Sequence, residues 1–594
     1  MHRFRGFVLL VAVLAAVAPG TAAAEAPDSE AAFLELVERE WRWRLEEFPL
    51  LATSTGEHAY DDRLTDESLA AYERRARDTE GLLAALAAID REGLALARRV
   101  DFDIFRAQLE DRLTSHRFGE HLLPLNADSG FHTSFALLAR QVPLSTVADY
   151  ENYLARLRAL PRALDQNVAL LAEGLRRGIT VPRATLAGID ETLRPLAEGA
   201  PEAHPLYEPF ARVPPTFDAE TGERLKREGR EAVAPILAAY ARVREFVTGL
   251  YVPGARASLA ATELPDGEAY YRYLVRHFTT LDRSAEEIHR LGLDEVARIR
   301  GEMGRVIART GFSGSFEEFL EFLRTDPRFY PKTAEELLQK AAWIAKTMDG
   351  KLPSLFGRLP RQPYGVQPVP EALAPKYTAG RYSSSPREST EPGWYWVNTY
   401  ALDTRSLYNL PALTLHEAVP GHHLQGALAE EQEDVLPFRR YSYISAFGEG
   451  WGLYSEWLGV ESGMYGDPYD EFGFLTYQAW RACRLVVDTG IHAFGWSRER
   501  AIEYLAGNTA LSRHEVTTEI DRYISWPGQA LSYYTGYLEL RALRARAETA
   551  LGEAFDVRAF HDEVLSEGSV PLPVLDARVD DWIRSRRAPG GDGR

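Results

Sequence analysis

The chain has 594 residues, of which 45% are hydrophobic and 26% are charged, an ordinary composition for a globular protein with a large core. Its 68 basic and 87 acidic residues give a formal net charge of −19. Because nucleic-acid binding depends on neutralising phosphates with basic side chains, this charge argues against nucleic acid as a partner.

Residues 1–24 have the pattern of a secretory signal peptide. Arg3 and Arg5 supply the positive start, residues 7–17 form an apolar stretch, and Ala22-Ala23-Ala24 fits a small-residue cleavage site. The apolar stretch is short for a membrane span, so we expect cleavage, with an uncleaved anchor as the alternative. No cysteine lies near the cleavage point, which argues against lipid attachment there. We therefore predict a periplasmic or secreted protein without a stable membrane span.

Beyond the signal pattern, hydrophobic residues recur every three or four positions, the period of an amphipathic α-helix. The clearest segments are 31–48, 67–88, 94–118, 147–177 and 221–250. Ser284 and Glu287 have the spacing of a helix-capping box. The single cysteine, Cys483, lies among apolar residues and is expected to fill the core rather than to act as a nucleophile. The pattern predicts a mostly α-helical protein.

Proline and glycine clusters at 200–215, 251–266 and 352–375 mark loops or seams between parts of the chain. Because large helical enzymes often form one unit, we predict one helical domain over residues 25–594. Its N-terminal helical part is expected at about 25–260 and its catalytic part at about 261–594.

Three short segments have the aromatic and β-branched content of strands. They are Tyr364–Val369, Gly380–Ser384 and Trp394–Thr399, so a small sheet is predicted just before His416. A strand beside a metal-binding helix can pair with the backbone of a peptide substrate. We name Trp394–Thr399 as that strand and Asn398 as a substrate-binding residue. The alternative is an ordinary strand that packs its aromatic side chains.

The segment His416-Glu417-Ala418-Val419-Pro420-Gly421-His422-His423 resembles a stretched form of the zinc motif H-E-x-x-H. In that motif two histidines one helical turn apart bind the metal, and the glutamate acts as general base. In a regular helix His422 would lie about 9 Å, and His423 about 10.5 Å, beyond His416 along the axis, too far to share an ion. The helix must therefore bulge or break, and the Pro-Gly pair suits either. We prefer His422 as the second ligand, with His423 as the alternative.

A third zinc ligand is expected from a following helix, and residues 447–456 offer two glutamates. Glu449 lies 27 residues after His422, close to the usual separation of these two ligands in glutamate-liganded zinc enzymes, and is our candidate. Glu456 lies about two turns further on the same face and could orient a ligand histidine. Glycines and aromatic residues surround both glutamates, which predicts burial, and buried ionisable groups need partners such as a metal.

Several stretches together resemble the bacterial family called domain of unknown function 885. They are His416–Gln425, Gly448–Glu456, Asp488–His492, Pro527–Tyr533 and Tyr270–Met303. The resemblance covers most of the mature chain. That family is grouped with the gluzincin metallopeptidases and is distantly similar to thimet oligopeptidase and angiotensin-converting enzyme. The resemblance implies a mostly helical, zincin-like fold with a deep channel, and the small sheet would lie next to the metal-binding helix.

The same resemblance implies roles for individual residues. His416, His422 and Glu449 would hold zinc. Glu417 would act as base toward a zinc-bound water, whose pKa the ion brings near neutrality.

Tyr533 lies in a segment similar to the tyrosine-rich segment that closes over the substrate carbonyl in the thimet oligopeptidase type. It would donate a hydrogen bond to the developing oxyanion. The upstream histidine of that segment is absent at the expected spacing, and Arg522, Tyr523 or His492 could substitute for it.

The leading hypothesis is a zinc-dependent hydrolase of the cell envelope that cleaves peptide bonds of short peptides, with Glu417 as base. A helical channel would favour short peptides over folded proteins. One alternative is a zinc amidase or esterase that acts on a non-peptide substrate. Another is a catalytically silent helical binding protein that keeps the fold.

Overall fold

The structure is a computed structural model that describes residues 29–126, 129–371, 374, 377–385 and 391–587. The signal peptide predicted at residues 1–24 lies outside the described residues. Within the described ranges, no helix combines the length and apolar character that a membrane span requires.

The described residues are mostly helical and contain one small sheet, which confirms the predicted fold class at this level. The first ten helices are α1 (Ser29–Glu47), α2 (Pro49–Ser54), α3 (Leu69–Ala87), α4 (Leu96–Phe118), α5 (Phe131–Ala136), α6 (Val147–Arg177), α7 (Ile189–Ala197), α8 (Glu208–Ala211), α9 (Ala219–Phe246) and α10 (Val252–Gly254). The next helices and the strands are α11 (Gly267–Thr279), α12 (Ala285–Thr310), α13 (Phe316–Thr325), α14 (Ala334–Asp349), α15 (Leu352–Leu355), β1 (Tyr364–Pro368), β2 (Gly380–Ser383) and β3 (Gly393–Val397). The last helices are α16 (Leu410–Glu417), α17 (His422–Glu430), α18 (Pro437–Arg440), α19 (Ser445–Glu461), α20 (Pro468–His492), α21 (Arg498–Asn508), α22 (Arg513–Ser525), α23 (Leu531–Leu551), α24 (Val557–Leu565) and α25 (Leu572–Arg587).

Local sequence signals set both ends of the long helix α12. At its start Glu287 N donates to Ser284 Oγ at 3.2 Å, and Ser284 N donates to Glu287 Oε2 at 2.8 Å, which confirms the predicted capping box. At its end Gly311 has a φ of 73°, in the left-handed region that closes helices and that glycine adopts without strain.

The sheet has the strand order β1-β3-β2, so β3 is its central strand. β1 pairs with β3 in parallel and β2 pairs with it in the antiparallel direction. Both edges of β3 are therefore occupied, and the predicted pairing of Trp394–Thr399 with a substrate backbone is wrong. The ordinary interpretation holds for this strand, whose Tyr395 and Val397 are buried in the core.

Hydrophobic side chains form two large cores. One contains the helices of residues 125–255, and the other joins α1, α3 and α4 to the chain from residue 261 onward. In the second of these, Phe105 packs on Phe438 with ring centres 5.0 Å apart, and Asp101 pairs with Arg439 at 2.7 Å. The smaller core ends at Ala255, whereas α1, α3 and α4 pack with the chain from residue 261 onward.

Two glycines bring α19 and α23 into close contact. A Cβ on Gly450 would lie 2.5 Å from the carbonyl carbon of Gly536, and a Cβ on Gly536 would lie 1.9 Å from the carbonyl oxygen of Ala446. Side chains at these positions would force the helices apart. The glycine pair therefore sets how closely the helix that carries Glu449 approaches the helix that carries Tyr533.

Candidate metal centre

The predicted metal-binding segment is divided between two helices. α16 ends at Glu417 and α17 begins at His422, so the helix breaks instead of bulging. A Cβ on Gly421 would lie 1.9 Å from the carbonyl oxygen of His416, so the break requires glycine at that position. The break brings together the first two histidines of the segment, which a continuous helix would hold about 9 Å apart.

His416, His422 and Glu449 converge, and their ligand atoms all lie within 4.8 Å of one another. Glu449 Oε2 is 3.5 Å from His416 Nε2 and 3.6 Å from His422 Nε2. Nitrogen and oxygen ligands at about 2.0–2.1 Å from a tetrahedral zinc ion lie roughly 3.3 Å from one another. The spacing and the donor types therefore fit a zinc ion, with a fourth position left for water or substrate.

Glu456 supports one of these histidines from behind. Its Oε1 lies 2.8 Å from Nδ1 of His416, so Nε2 of the same ring faces the other two candidate ligands. Glu456 is fully buried, and Arg481 lies 3.5 Å from the same carboxylate oxygen. A carboxylate on the remote nitrogen fixes the tautomer and orientation of a metal-binding imidazole.

The carboxylates make this region favourable for positive charge. Burial alone lowers the pKa of His416, but the carboxylates of Glu449 and Glu456 outweigh it and raise that pKa to about 10. Burial raises the pKa of Glu449, but His416 and His422 outweigh it and hold that pKa well below its usual range. A proton or a metal cation can supply the charge that these groups favour.

His423 points away from the convergent residues. Its Nδ1 lies 3.0 Å from the hydroxyl of Tyr382, and its ring packs on Tyr364 with ring centres 4.6 Å apart. Burial lowers the pKa of His423 to about 4, so the ring is neutral. Of the two histidines left open by the sequence, the structure therefore brings only His422 to the candidate ligand set.

Glu417, the predicted base, is buried at the end of α16, and its charge acts on the neighbouring His416. Its Oε2 accepts a hydrogen bond from the backbone N–H of Tyr382 at 2.8 Å. Oε1 has no hydrogen-bond partner within the described part of the chain. The strand β2 thus fixes one carboxylate oxygen and leaves the other for a water.

Tyr443 is a site residue that the sequence interpretation missed. Its hydroxyl donates to Glu449 Oε1 at 3.1 Å, while 60% of the residue is exposed to solvent. The hydroxyl also interacts electrostatically with Tyr533 and Glu417. A tyrosine just before the helix that carries a predicted ligand was the available signal, but loop tyrosines are common and the contact depends on the fold.

Tyr533 lies on α23, and its interaction with Tyr443 places it near the convergent residues. Its hydroxyl oxygen accepts a hydrogen bond from Arg522 Nη2 at 3.3 Å. Because this contact uses an oxygen lone pair, the proton of the hydroxyl remains available to donate.

The other two residues considered as partners of Tyr533 have structural contacts. His492 is fully buried, with Nδ1 accepting from the N–H of Ala261 at 3.2 Å and Nε2 lying 2.9 Å from the carbonyl oxygen of Tyr523. The Tyr523 hydroxyl accepts from Trp480 Nε1 and Arg484 Nε, both at 2.8 Å. These bonds join helices within the core, so Arg522 is the one of the three that reaches Tyr533.

Asn398, predicted to bind substrate, is fully buried. Its Nδ2 lies 2.9 Å from the carbonyl oxygen of Ala374 and 3.0 Å from those of Tyr377 and Thr378. Its Oδ1 accepts from the N–H of Tyr400 at 3.0 Å. This amide has no polar atom free for a substrate, so the prediction is wrong, and the residue instead holds the neighbouring loop.

Two consecutive residues of α19, Trp451 and Gly452, lie against the broken segment. Trp451 Nε1 donates to the carbonyl oxygen of Pro420 in the break at 2.8 Å. A Cβ on the next residue, Gly452, would lie 2.5 Å from Cε1 of His416. The glycine therefore provides the space in which the imidazole ring lies.

Replacing Gly452 by alanine is expected to lower the affinity of the three candidate ligands for added zinc at least about tenfold, because the new methyl group displaces the His416 ring from its position. Competition with a chelator measures the affinity, and circular dichroism checks that the helices persist. Gly301→Ala is the matched control, since a Cβ at that position in α12 meets no atom within 4 Å. Equal zinc affinities for the two variants would contradict this account of Gly452.

Comparisons with known proteins agree with this fold. A family described as "Bacterial protein of unknown function (DUF885)" matches residues 49–579. A crystal structure described as "the putative lipoprotein from Colwellia psychrerythraea" has 28% sequence identity and a TM-score of 0.87, and the match covers 94% of this chain and 100% of that one. A structure of "a putative lipoprotein of unknown function from Shewanella oneidensis" has 18% identity and a TM-score of 0.72, over 92% of this chain and 99% of that one. No curated protein matches the sequence.

Proposed function

We propose that this chain, which belongs to the DUF885 family, is a zinc-dependent hydrolase that cleaves peptide bonds of short peptides in the cell envelope. The observation that carries the proposal is the convergence of His416, His422 and Glu449 beside Glu417. Two imidazoles and a carboxylate form the His₂Glu set of many catalytic zinc sites. The zincin-like relationship and the deep channel implied by the sequence resemblance belong to the same proposal.

The chain's own residues support a hydrolytic reaction. A zinc ion held by the three ligands would polarise the substrate carbonyl and lower the pKa of a bound water. Glu417 takes the proton of the attacking water, whose hydroxyl joins the carbonyl carbon. The carbon–nitrogen bond then breaks, and the proton passes to the departing amine, so Glu417 returns to its ionised form. Tyr533 donates to the carbonyl oxygen as negative charge develops on it.

We assign the substrate backbone to the outer edge of β2 in place of β3, because no strand among the described residues pairs on that side of β2. β2 is an edge strand of the sheet, and the N–H of Tyr382 points off that edge toward Glu417. An extended peptide that lies along this edge would pass the general base. β2 thus lies beside the proposed general base Glu417, whereas β3 lies between β1 and β2.

The envelope location rests on two independent observations. Residues 1–24 have the pattern of a secretory signal. The two solved structures described above carry the words "putative lipoprotein". The chain itself has no cysteine near its predicted cleavage point, so we propose export without lipid attachment at that point.

Metal analysis combined with peptide profiling tests the proposal. The purified protein is expected to bind zinc through the three ligands and to cleave members of a mixed peptide pool, detected by mass spectrometry. Removal of the metal with a chelator should abolish cleavage, and added zinc should restore it. A parallel pool of non-peptide amides and esters serves as the control for substrate class. Failure to bind zinc, or to cleave any peptide after zinc is added, would refute the proposal.

A further inference from the structure

Two arginines and one glutamate form a cluster around Tyr533. Arg522 Nη2 lies 3.3 Å from the Tyr533 hydroxyl, and the guanidinium carbon of Arg484 lies 4.1 Å from the centre of the tyrosine ring. Glu519 Oε2 is 2.9 Å from Arg484 Nη2 and 3.5 Å from Arg522 Nη1. We call these three charged residues the Arg522 cluster.

The Arg522 cluster carries an excess of positive charge. Burial raises the pKa of Glu519, but the charges of Arg522 and Arg484 outweigh it and hold that pKa below its usual range, so the carboxylate is ionised. Two guanidinium groups therefore face one carboxylate. The carboxyl group of Glu515 also acts on Glu519, but burial raises the pKa of Glu515 to about 7, so it carries only part of a negative charge near neutral pH. Within the Arg522 cluster, two positive groups thus share one fully ionised carboxylate, in a chain whose formal net charge is −19.

The arginines also have donors that the protein does not use. Arg484 is only 2% exposed, and its Nη1 is buried without a hydrogen-bond partner among the residues that the structure describes. Arg522, whose side chain is 26% exposed, uses Nη2 on Tyr533 and Gln529 and one N–H of Nη1 on Glu519. Within the described ranges, its Nε–H and the second Nη1 N–H remain for a ligand. An unsatisfied buried donor is unfavourable unless a ligand or water satisfies it.

The Arg522 cluster lies close to the candidate metal centre. α23, which carries Tyr533, packs closely on α19, which carries Glu449, at Gly450 and Gly536, and Ser532 next to Tyr533 lies 2.8 Å from Ser445 of α19. Tyr533 in turn accepts from Arg522. A residue of extended peptide spans only about 3.3–3.6 Å. The positive charge is therefore within a short peptide's reach of a carbonyl that lies at the metal centre.

We infer that Arg522, supported by Arg484, binds the free C-terminal carboxylate of the substrate, so that the enzyme acts as a carboxypeptidase on short peptides. A guanidinium matches the geometry of a carboxylate and can hold it through two parallel hydrogen bonds. Water adds across the peptide bond next to the bound end. Its hydroxyl goes to the acyl carbon and its proton to the amine, and the C-terminal product is released. This inference rests on the proposed hydrolytic function.

The test compares one peptide in two forms, with a free C-terminal carboxylate and with a C-terminal amide. The wild-type zinc enzyme is expected to cleave the acid with a kcat/KM about 100-fold above that of the amide. Because Arg522 also donates to Tyr533, Arg522→Gln should lower kcat/KM for both peptides, but its effect on the acid should be about 100-fold larger than its effect on the amide. Arg522→Lys keeps the positive charge but cannot form two parallel hydrogen bonds to a carboxylate, so it should retain part of the preference for the acid over the amide.

Arg498→Gln is the matched control, because Arg498 pairs with Asp521 of the same helix as Arg522 but makes no contact with the cluster. It should leave the acid-to-amide ratio unchanged. A second measurement avoids turnover: calorimetry with the Glu417→Gln protein should show that the acid binds more tightly than the amide.

The outcomes separate this inference from the proposed function. Equal cleavage of acid and amide by the wild type would overturn the inference and leave a peptidase. A parallel loss for both peptides in Arg522→Gln would overturn it too, since Arg522 would then only position Tyr533. If no peptide is cleaved, the proposed function fails, and the binding measurement alone decides whether the cluster recognises a carboxylate. Equal or absent binding of the two peptides would overturn the inference.

Discussion

The Glu417→Gln variant is expected to bind zinc as the wild type does and to lose about 10²–10⁴-fold in kcat for peptide cleavage. Glutamine keeps an oxygen that can accept the N–H of Tyr382, which now lies 2.8 Å from the carboxylate, so the side chain should stay in place. It cannot take a proton from the attacking water. Peptide cleavage and zinc content, measured on the same preparation, test whether kcat falls while zinc binding is kept.

Glu461→Gln provides the matched control for this change. Glu461 lies at the end of α19, and its carboxylate is partly exposed and contacts Arg544 at 3.5 Å, away from the candidate ligands. Its replacement should leave kcat within about twofold, as expected for a weak surface ion pair. Full activity in Glu417→Gln would rule out its role as general base. Loss of zinc from that variant would instead assign the residue to metal binding.

The helices could be predicted because their signal is local. The segments predicted at 31–48 and 147–177 correspond to α1 (Ser29–Glu47) and α6 (Val147–Arg177), since long amphipathic helices repeat their apolar side every few residues. The capping box at Ser284 is equally local. The order of the strands and the packing of residues before 125 are not, because they depend on contacts between distant parts of the chain.

The candidate site also has features that the local sequence indicates and features that depend on distant contacts. A regular helix would hold His416 and His422 about 9 Å apart, and the Pro420-Gly421 pair between them favours an interruption, so the sequence alone indicated that the segment must bend or break. The contact of Tyr443 with Glu449 depends on how the loop before α19 folds back over the helix. The prediction for Asn398 was wrong for a related reason. Its amide nitrogen lies within hydrogen-bond distance of three backbone carbonyl oxygens, and neither the residue type nor its position in the sequence reveals these contacts.

The break between α16 and α17 also gives the two adjacent histidines of the segment different expected roles. His422→Ala is expected to lower zinc affinity by more than the roughly 10–100-fold typical of a partner outside the ligand set, because it removes one of the three proposed ligands. His423→Ala should leave zinc affinity nearly unchanged, since its ring contacts Tyr382 and Tyr364 and not the three candidate ligands. Competition with a chelator, together with thermal unfolding of the metal-free proteins, separates metal binding from stability.

Glu456→Gln completes this comparison, because it changes the group behind His416 without removing a ligand. An affinity between those of the two histidine variants is expected from it. The order matters more than any single value, since a general loosening of the fold would weaken zinc binding in all three proteins together. Retention of zinc in His422→Ala combined with its loss in His423→Ala would show that α17 binds the ion in a different register. The chemistry assigned to Glu417 would then have to be derived from that other geometry.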